Sequence, residues 1–487
     1  MPSGAQPWWQ RAVLYQAYVR SFADSDGDGV GDLRGVIERL DYLEWLGVDA
    51  LWLSPVTVSP DKDWGYDVAD YTNVQPAFGD LAALDDLVAK AASRDLRIIL
   101  DLVPNHTSDE HPWFQEARES RDSARRDWYV WADPKPDGSP PNNWRSTFGG
   151  GPAWTLDERT GQYYLHNFLP EQPDLNWWND DVRAAFDDIL RFWLDRGIAG
   201  FRIDVAHGIV KDRLLRDNPD PAVSTYNANR DEVHDVFRHW RGLLDSYEPE
   251  RVLLGETWVM EFERLARFYG NGEDELHLAF NFPFTLSPLD AATLRGVVET
   301  TEAALPQVAW PPWMLSNHDL QRFPTRMAGG DERKARAALF LLLMLRGTPV
   351  LYYGDELGMP QAEVPPERQL DMDGRDGART PLPWNGGWTD PWLPLTAEVA
   401  PVAVQRQDES SFLSYCRDLI AQRRANPDLL AGGYETLPAP DGVWAFRRGE
   451  RTIVAVNLTD EPVEFELESP RRLEPWEGIV LGSGQRA

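Results

Sequence analysis

The chain has a single cysteine, Cys416, among 487 residues. No internal disulfide can form, so nothing in the sequence marks an oxidising compartment, and the expected setting is cytoplasmic. Basic residues are scarce: 48 Lys and Arg stand against 79 Asp and Glu, a net charge of −31. That balance excludes nucleic acid or an anionic membrane as partner, since both require a positive patch. There is no apolar run of about 18 residues or more; AALFLLLMLRG is too short and reads as a core helix, so no membrane span is predicted. The opening MPSGAQPWWQ lacks the basic-then-apolar order of a secretory signal. No Gly-rich phosphate loop follows the first strand-like run, which disfavours a doubly wound dinucleotide fold, and no HExxH spacing is present for zinc.

What the chain does have is aromatic rings: 22 Trp, 15 Tyr and 19 Phe, interleaved with Asp and Asn. Most must be core. Flat rings beside polar acceptors also suit sugars, whose C–H faces stack while their hydroxyls hydrogen-bond, so a small neutral oligosaccharide is the partner compatible with this composition.

Short β-rich runs alternate with amphipathic stretches. The runs AVLYQAY (12–18), DALWLSP (49–55), RIILDLV (97–103), AGFRIDVA (199–206), RVLLGET (251–257), LHLAFNF (276–282), WMLSNHD (313–319) and TPVLYYG (348–354) read as strands. Patterns such as 33–47, 81–94, 181–197 and 332–347 read as helices between them. Eight strand–helix units predict an α/β protein built on a (β/α)8 TIM barrel, over 1–103 and 176–430. The stretch 104–175, dense in Pro, Gly, Trp and Asn, reads as an inserted subdomain after strand three, and 431–487 as a C-terminal antiparallel β-sandwich domain.

Active sites of such barrels sit at the C-terminal strand ends. There strand three ends in Asp101, followed by Asn105 and His106, strand four ends in Arg202 and Asp204, strand five in Glu256, and strand seven in His318 and Asp319. A single Asp at a strand end is ordinarily a helix cap or a structural ion pair. Polar endings on four strands argue for chemistry instead. Acetal cleavage with retention needs a nucleophilic carboxylate and a protonated carboxyl roughly 5 Å apart. Asp204 and Glu256, on strands about 4.8 Å apart, meet that requirement. Arg202 shares a strand face with Asp204 and is expected to keep it ionised. Mutual repulsion among the acids is expected to keep Glu256 protonated.

The motifs DLVPNH, GFRID, GETW and SNHD, in that order, resemble the α-amylase family of glycoside hydrolases, family 13, over essentially the whole chain. The resemblance implies Asp204 as nucleophile, Glu256 as acid/base and Asp319 as the acid that binds sugar hydroxyls and stabilises the transition state. It implies His106, Arg202 and His318 as contacts of the −1 sugar. The stretches EQPDLNW (171–177), DWGYDVADY (63–71) and GRDGARTPLPW (374–384) are similar to the α-glucosidase and oligo-1,6-glucosidase branch. That similarity implies Tyr66 stacking on the terminal glucose and Asp63 binding its far hydroxyls, paired with Arg375 or Arg379, so that the pocket is closed and action is exo. In this branch the loop matching DSDGDGVGD (24–32) binds Ca2+, sometimes Mg2+; Asp24, Asp26, Asp28 and Asp32, with the Val30 carbonyl, are the implied ligands. It is not an EF-hand, because Gly35 stands at the twelfth position, and its plain alternative is a flexible acidic turn.

Val205, directly after the nucleophile, stands where Val accompanies α-1,6 preference in this branch. His207 departs from the usual context and either lines the +1 subsite or only packs. The reading is an exo-acting retaining α-glucosidase, with linkage open and tilted to α-1,4-linked maltose-type substrates, and with transglucosylation as a side reaction. Its rivals are a trehalose synthase or sucrose-active transferase using the same covalent intermediate, an endo-acting amylase, and an inactive interaction subunit, against which the retained Asp204, Glu256 and Asp319 argue. Cys416, His111, His166, Trp177 and Trp178 read as packing.

Overall fold

The computed structural model describes residues 6–396, 398–467 and 470–482; parts of the expected 431–487 unit, and the first five residues of the N-terminal stretch, lie outside the described residues. The strand-like runs pair edge to edge as eight parallel strands: β1 (Leu14–Ala17), β2 (Ala50–Leu53), β3 (Arg97–Leu102), β4 (Gly200–Ile203), β5 (Val252–Gly255), β6 (Leu278–Ala279), β7 (Pro312–Met314) and β8 (Thr348–Tyr352). They follow the order β6-β5-β4-β3-β2-β1-β8-β7, a nearly closed barrel wrapped by helices.

Alternation along the strands sorts side chains between two cores. Leu14, Ala50, Trp52, Ile99, Val252, Leu254, Leu278 and Met314 fill the barrel interior, with Trp9 and Trp310 in the same cluster. The opposite parity, such as Tyr15, Leu51, Leu100, Phe201 and Leu253, packs under the helices. The helix Asp180–Asp195 is typical of these. Asn179 caps it by accepting from Asp181 N, Asp180 and Asp181 sit in the first turn against the dipole, and Phe186, Leu190 and Trp193 are buried.

Three local expectations differ from the structure. The helix expected over 33–47 is two, Leu33–Glu38 and Leu40–Leu46, because Arg39 N bonds to Val36 O and tightens the turn there. The strand expected over 276–282 shrinks to Leu278–Ala279; Asn281 caps the short helix Phe282–Thr285 and Pro283 lies in its first turn, which ends the extended run. Strand seven stops at Met314, so His318 and Asp319 stand in the loop beyond it.

Within 104–175 lies a three-stranded antiparallel sheet of residues 131–132, 162–165 and 154–157. Its base is pinned by the isolated bridges His106↔Asp174 and Tyr129↔Leu175, so both ends of this excursion return to the mouth of the barrel. Toward the C-terminus, β9 (Tyr434–Leu437), β10 (Val443–Arg448), β11 (Thr452–Asn457) and β14 (Gly478–Leu481) form an antiparallel sheet, with β12 (Val463–Glu466) and β13 (Pro470–Leu473) as a separate hairpin. Arg448, fully buried on β10, donates to the carbonyls of Met344, Leu429, Gly432 and Gly433, joining this sheet to the barrel helices. Arg448→Ala strands those acceptors and should destabilise the protein by about 3 kcal/mol, measured as a fall in thermal unfolding temperature with the barrel's far-UV signature retained.

Candidate active site

The inward parity that carries Leu14, Ala50 and Ile99 at the bottom of the barrel carries Gln16, Trp52 and Asp101 two residues further on, with Arg202 on β4 and Asp204 just beyond its end. Trp52 Nε1 and Tyr66 Oη both donate to Asp101 Oδ2, at 3.1 and 2.9 Å. The Arg202 side chain, 1% exposed, contacts three acids: Nη1 lies 2.8 Å from Asp101 and 2.6 Å from Asp204, and Nη2 lies 2.9 Å from Glu256. Asp204 and Glu256 follow the paired residues Ile203 and Gly255 on neighbouring strands, and Glu256 N donates to Ile203 O. The two carboxyls therefore face one another across a shared guanidinium.

Val205 follows with φ of 44°, a left-handed conformation that a β-branched residue adopts only under strain. This turns its N–H onto Glu256 Oε2 at 2.9 Å, while Trp258 Nε1 donates to Oε1 at 2.9 Å. Both oxygens of Glu256 are thus oriented by donors on residues next to the two acids.

The sequence reading assigned Arg202 to Asp204 alone. The structure divides it among three carboxyls, so burial outweighs its pull and raises the Asp204 pKa, with Glu256 and Asp101 adding to the rise. Burial likewise raises Asp101 to about 6 against the attraction of Arg202. Asp319 goes the other way: burial opposes it, but His318, Arg375 and Arg379 hold its carboxyl well below the usual range. Burial thus favours the neutral form at Asp101 and Asp204, whereas Asp319 keeps its negative charge.

Asp63 and Arg375 close one end of the site. Arg375 Nη2 lies 2.6 Å from Asp63 Oδ1, and Nη1 lies 3.1 Å from Asp319. Arg379, fully buried, instead donates through Nε to His318 O and lies 3.1 Å from Asp319. The open choice between the two arginines is settled by this geometry: Arg375 is the partner of Asp63. Asp63 itself is set by Asp67, which accepts from the backbone N–H of Lys62 and Asp63 and from Ser59 Oγ; burial raises Asp67 to about 6 despite those donors.

Tyr66 stacks on His318, with centroids 5.0 Å apart and planes 3° off parallel, and both residues line the cavity. Gln16 Nε2 faces His318 Nδ1, which leaves the proton on Nε2, 3.2 Å from Asp319 Oδ2. Asn105 Nδ2 faces His106 Nδ1, and His106 Nε2 donates to Tyr66 O. Burial lowers the pKa of both histidines, so both are neutral donors at pH 7. His207 lines the same cavity but makes only long contacts, 3.5 Å to Glu256 O and 3.4 Å to Trp258 N. The cavity is about 440 Å³.

Several of its determinants escaped the sequence reading. Gln172, inside the quoted EQPDLNW, donates to Asp63 Oδ2 at 2.9 Å. Asp371, four residues before Arg375, accepts from its Nε and Nη2 and lies 3.5 Å from Arg379, so one buried carboxylate sets both arginines. Phe148 and Phe168 from the excursion and Trp258 after Glu256 line the walls; for the two phenylalanines no local signal exists in the sequence. Trp177 and Trp178 donate to the carbonyls of Pro104 and Lys211, and His111 caps the helix Pro112–Ala117.

Asp24, Asp26 and Asp28 bring carboxylate oxygens within 4.8 Å of one another, a donor set that fits a hard divalent cation. Asp32, expected as a further ligand, is not in that group. Its oxygens accept from Ser25 N, Ser25 Oγ and Gly35 N, capping the helix Leu33–Glu38. The backbone N–H of Val30 donates to Asp28 Oδ1.

Residues 16–433 match the family model described as the alpha amylase catalytic domain. The chain is 42% identical to a "probable alpha-glucosidase" of Rhizobium meliloti, over 97% of this chain and 93% of that protein. It is 36% identical to an oligo-1,6-glucosidase of Heyndrickxia coagulans, over 94% and 93% of the two chains. Among solved structures, an alpha-glucosyl transfer enzyme superposes with a TM-score of 0.94 at 40% identity, over 98% of this chain and 99% of that one.

The raised acids set the sign of a pH effect. Asp67 and Asp101 keep their protons to about 6, whereas in the unfolded chain they lose them near 3.8. Their stabilising contribution is full below the unfolded value and is lost as pH rises through about 6. Asp319, being depressed, loses its contribution only in acid below that window. The unfolding temperature should therefore be higher at pH 5 than at pH 7 in a buffer series at constant ionic strength.

Proposed function

Since the chain belongs to the α-amylase family of glycoside hydrolases, we propose that it is an exo-acting, retaining α-glucosidase that releases glucose from the non-reducing end of short, neutral α-glucosides. The observation that carries this reading is the pairing of Asp204 and Glu256 on one guanidinium, in a cavity whose far end is closed by Asp63 and Arg375.

In this mechanism a terminal glucose lies against Tyr66, its far hydroxyls on Asp63 and Arg375. Asp204 attacks the anomeric carbon as the bond to the leaving oxygen breaks. Glu256, held by Val205 N–H and Trp258 Nε1, gives that oxygen its proton. The anomeric carbon turns cationic on the way, and Asp319, ionised and fixed by Arg375 and Arg379, supplies the opposing charge while accepting from ring hydroxyls. His318 donates as a neutral imidazole through Nε2, while His106, its own N–H held by the Tyr66 carbonyl, lines the cavity. Arg202 stabilises whichever acid is ionised, Asp204 before the attack and Glu256 once its proton has gone to the leaving oxygen. In the second half Glu256 takes a proton from water, the water oxygen bonds to the anomeric carbon, and Asp204 leaves as carboxylate. A sugar hydroxyl in place of water gives transfer, and the likeness to an alpha-glucosyl transfer enzyme supports that side reaction.

We place His207 and Val205 on the acceptor side, beside Trp258, and read α-1,4-linked maltose-type substrates as first choice. Asp24, Asp26 and Asp28 would hold a structural Ca2+ or Mg2+, whose charge would offset their mutual repulsion and tie down the loop after β1. A cytoplasmic setting accords with the lone, buried Cys416; no described helix is long and apolar enough to cross a membrane.

Product analysis with maltose, isomaltose, sucrose and trehalose side by side tests the reading. Glucose from the first two should dominate, and Asp204→Ala should lower kcat by at least about 10⁴-fold with the fold intact. Isomerised disaccharide as main product, or near-native turnover in the variant, would withdraw it. Asp371→Asn should raise KM for maltose about tenfold and lower kcat less, because Arg375 loses its anchor while Asp204 and Glu256 stay in place; an equal fall in kcat with unchanged KM speaks against the closed end. Chelation should lower the unfolding temperature by a few degrees through the 24–32 loop, and an unchanged temperature after verified metal removal excludes the cation.

A further inference from the structure

The N-terminal face of the barrel, opposite the catalytic mouth, holds a separate cavity of about 210 Å³ below the starts of β3, β4 and β5, lined among others by Arg97, Ala199, Glu250 and Arg251. Eight arginines are buried among the described residues: 20, 126, 202, 251, 322, 379, 423 and 448. Seven of them give guanidinium N–H groups to oxygens, for example Arg20 to Asp61, Arg322 to Tyr353 O, and Arg423 to the carbonyls of Leu343, Leu345 and Gly347. Arg251, 8% exposed, is the exception. It has no side-chain hydrogen bond and no ion pair among the described residues, and its Nε is sealed from solvent.

The Arg251 Nη groups, by contrast, reach the solvent of the cavity and have no acceptor among the described residues, with the Tyr247 ring centroid 5.9 Å from the guanidinium carbon, so the fork is open to an acceptor from outside the chain. The local carboxylates do not supply one. Glu250 Oε1 accepts from Trp9 Nε1, and burial raises its pKa. Asp95 is exposed at the rim and pairs with neither arginine. On the opposite wall the Arg97 guanidinium lies 4.7 Å over the Trp8 ring and donates to no protein acceptor among the described residues.

We propose that this cavity is a binding site for a small oxyanion of the phosphate, sulfate or carboxylate class, held in the fork of Arg251 with Arg97 as the second cation. The planar fork matches two oxygens of such an anion. The volume exceeds that of one tetrahedral ion and leaves room for bridging water, whose share is about 30 Å³. The anion reaches this face without passing the sugar site, so it acts on stability and not on turnover. The proposal is independent of the glucosidase reading.

The test is the unfolding temperature titrated with sodium phosphate, sodium sulfate or sodium acetate against sodium chloride at matched ionic strength and pH. Phosphate and sulfate also stabilise proteins generally by exclusion from the surface, so the readout is the difference between the wild type and Arg251→Gln. In the wild type the temperature should rise by several degrees and saturate. In Arg251→Gln the saturating part should vanish, while maltose turnover in both proteins stays unchanged by anion. Arg97→Gln should move half-saturation to higher concentration, a readout that stands even if the Arg251 variant fails to fold. A rise with acetate alone assigns the site to carboxylates, a rise with phosphate and sulfate alone assigns it to tetrahedral anions, and equal rises assign it to oxyanions of either shape. Equal rises in wild type and both variants, or no rise beyond chloride in any arm, overturn the proposal.

Discussion

The guanidinium of Arg202 is the point on which the catalytic mouth is assembled. Three acids from three strands and their loops converge on it: Asp101 beyond the middle of β3, Asp204 after β4 and Glu256 after β5. Three buried carboxyls around one cation cannot all ionise cheaply, which is why burial lifts Asp101 and Asp204. Retaining hydrolysis needs Asp204 as a carboxylate and Glu256 as the group that gives up a proton in the first half-reaction and takes one from water in the second. A shared cation between the two carboxyls is suited to that, because it stabilises the charge on either side.

Around this centre the rest of the pocket divides by charge. On one side Asp63, Asp319 and Asp371 are balanced by Arg375 and Arg379, and there the acid stays ionised. On the other, Trp258, Phe148 and Phe168 present ring surface. A sugar held between them has its hydroxyls toward the ion pairs and its C–H faces toward rings. The excursion of 104–175 serves both sides, since it brings Gln172 onto Asp63 and Phe148 and Phe168 onto the wall.

The family membership and the geometry answer different questions. The matches with glucosidases and with an alpha-glucosyl transfer enzyme place the chain among proteins that make and break α-glucosidic bonds. The local geometry speaks to where the sugar ends, through the Asp63–Arg375 pair, and to how Glu256 is oriented, through the strained turn at Val205.

Much of the barrel was legible from periodicity alone. Runs such as RIILDLV and RVLLGET carry their strand character locally, and the residues that reach the mouth, Asp101, Arg202, Asp204 and Glu256, follow from alternation along single strands. Motif order in GFRID, GETW and SNHD named the acids before any coordinates. Tertiary structure alone decided matters that depend on residues far apart in the chain. It shared Arg202 among three acids instead of one, reversing the expected direction for Asp204. It chose Arg375 over Arg379 for Asp63, through a contact across 312 positions. Side-chain alternation is set by neighbours in sequence, so one strand suffices to read it; the division of a charge depends on every group within a few ångströms, and only the folded chain determines which groups those are.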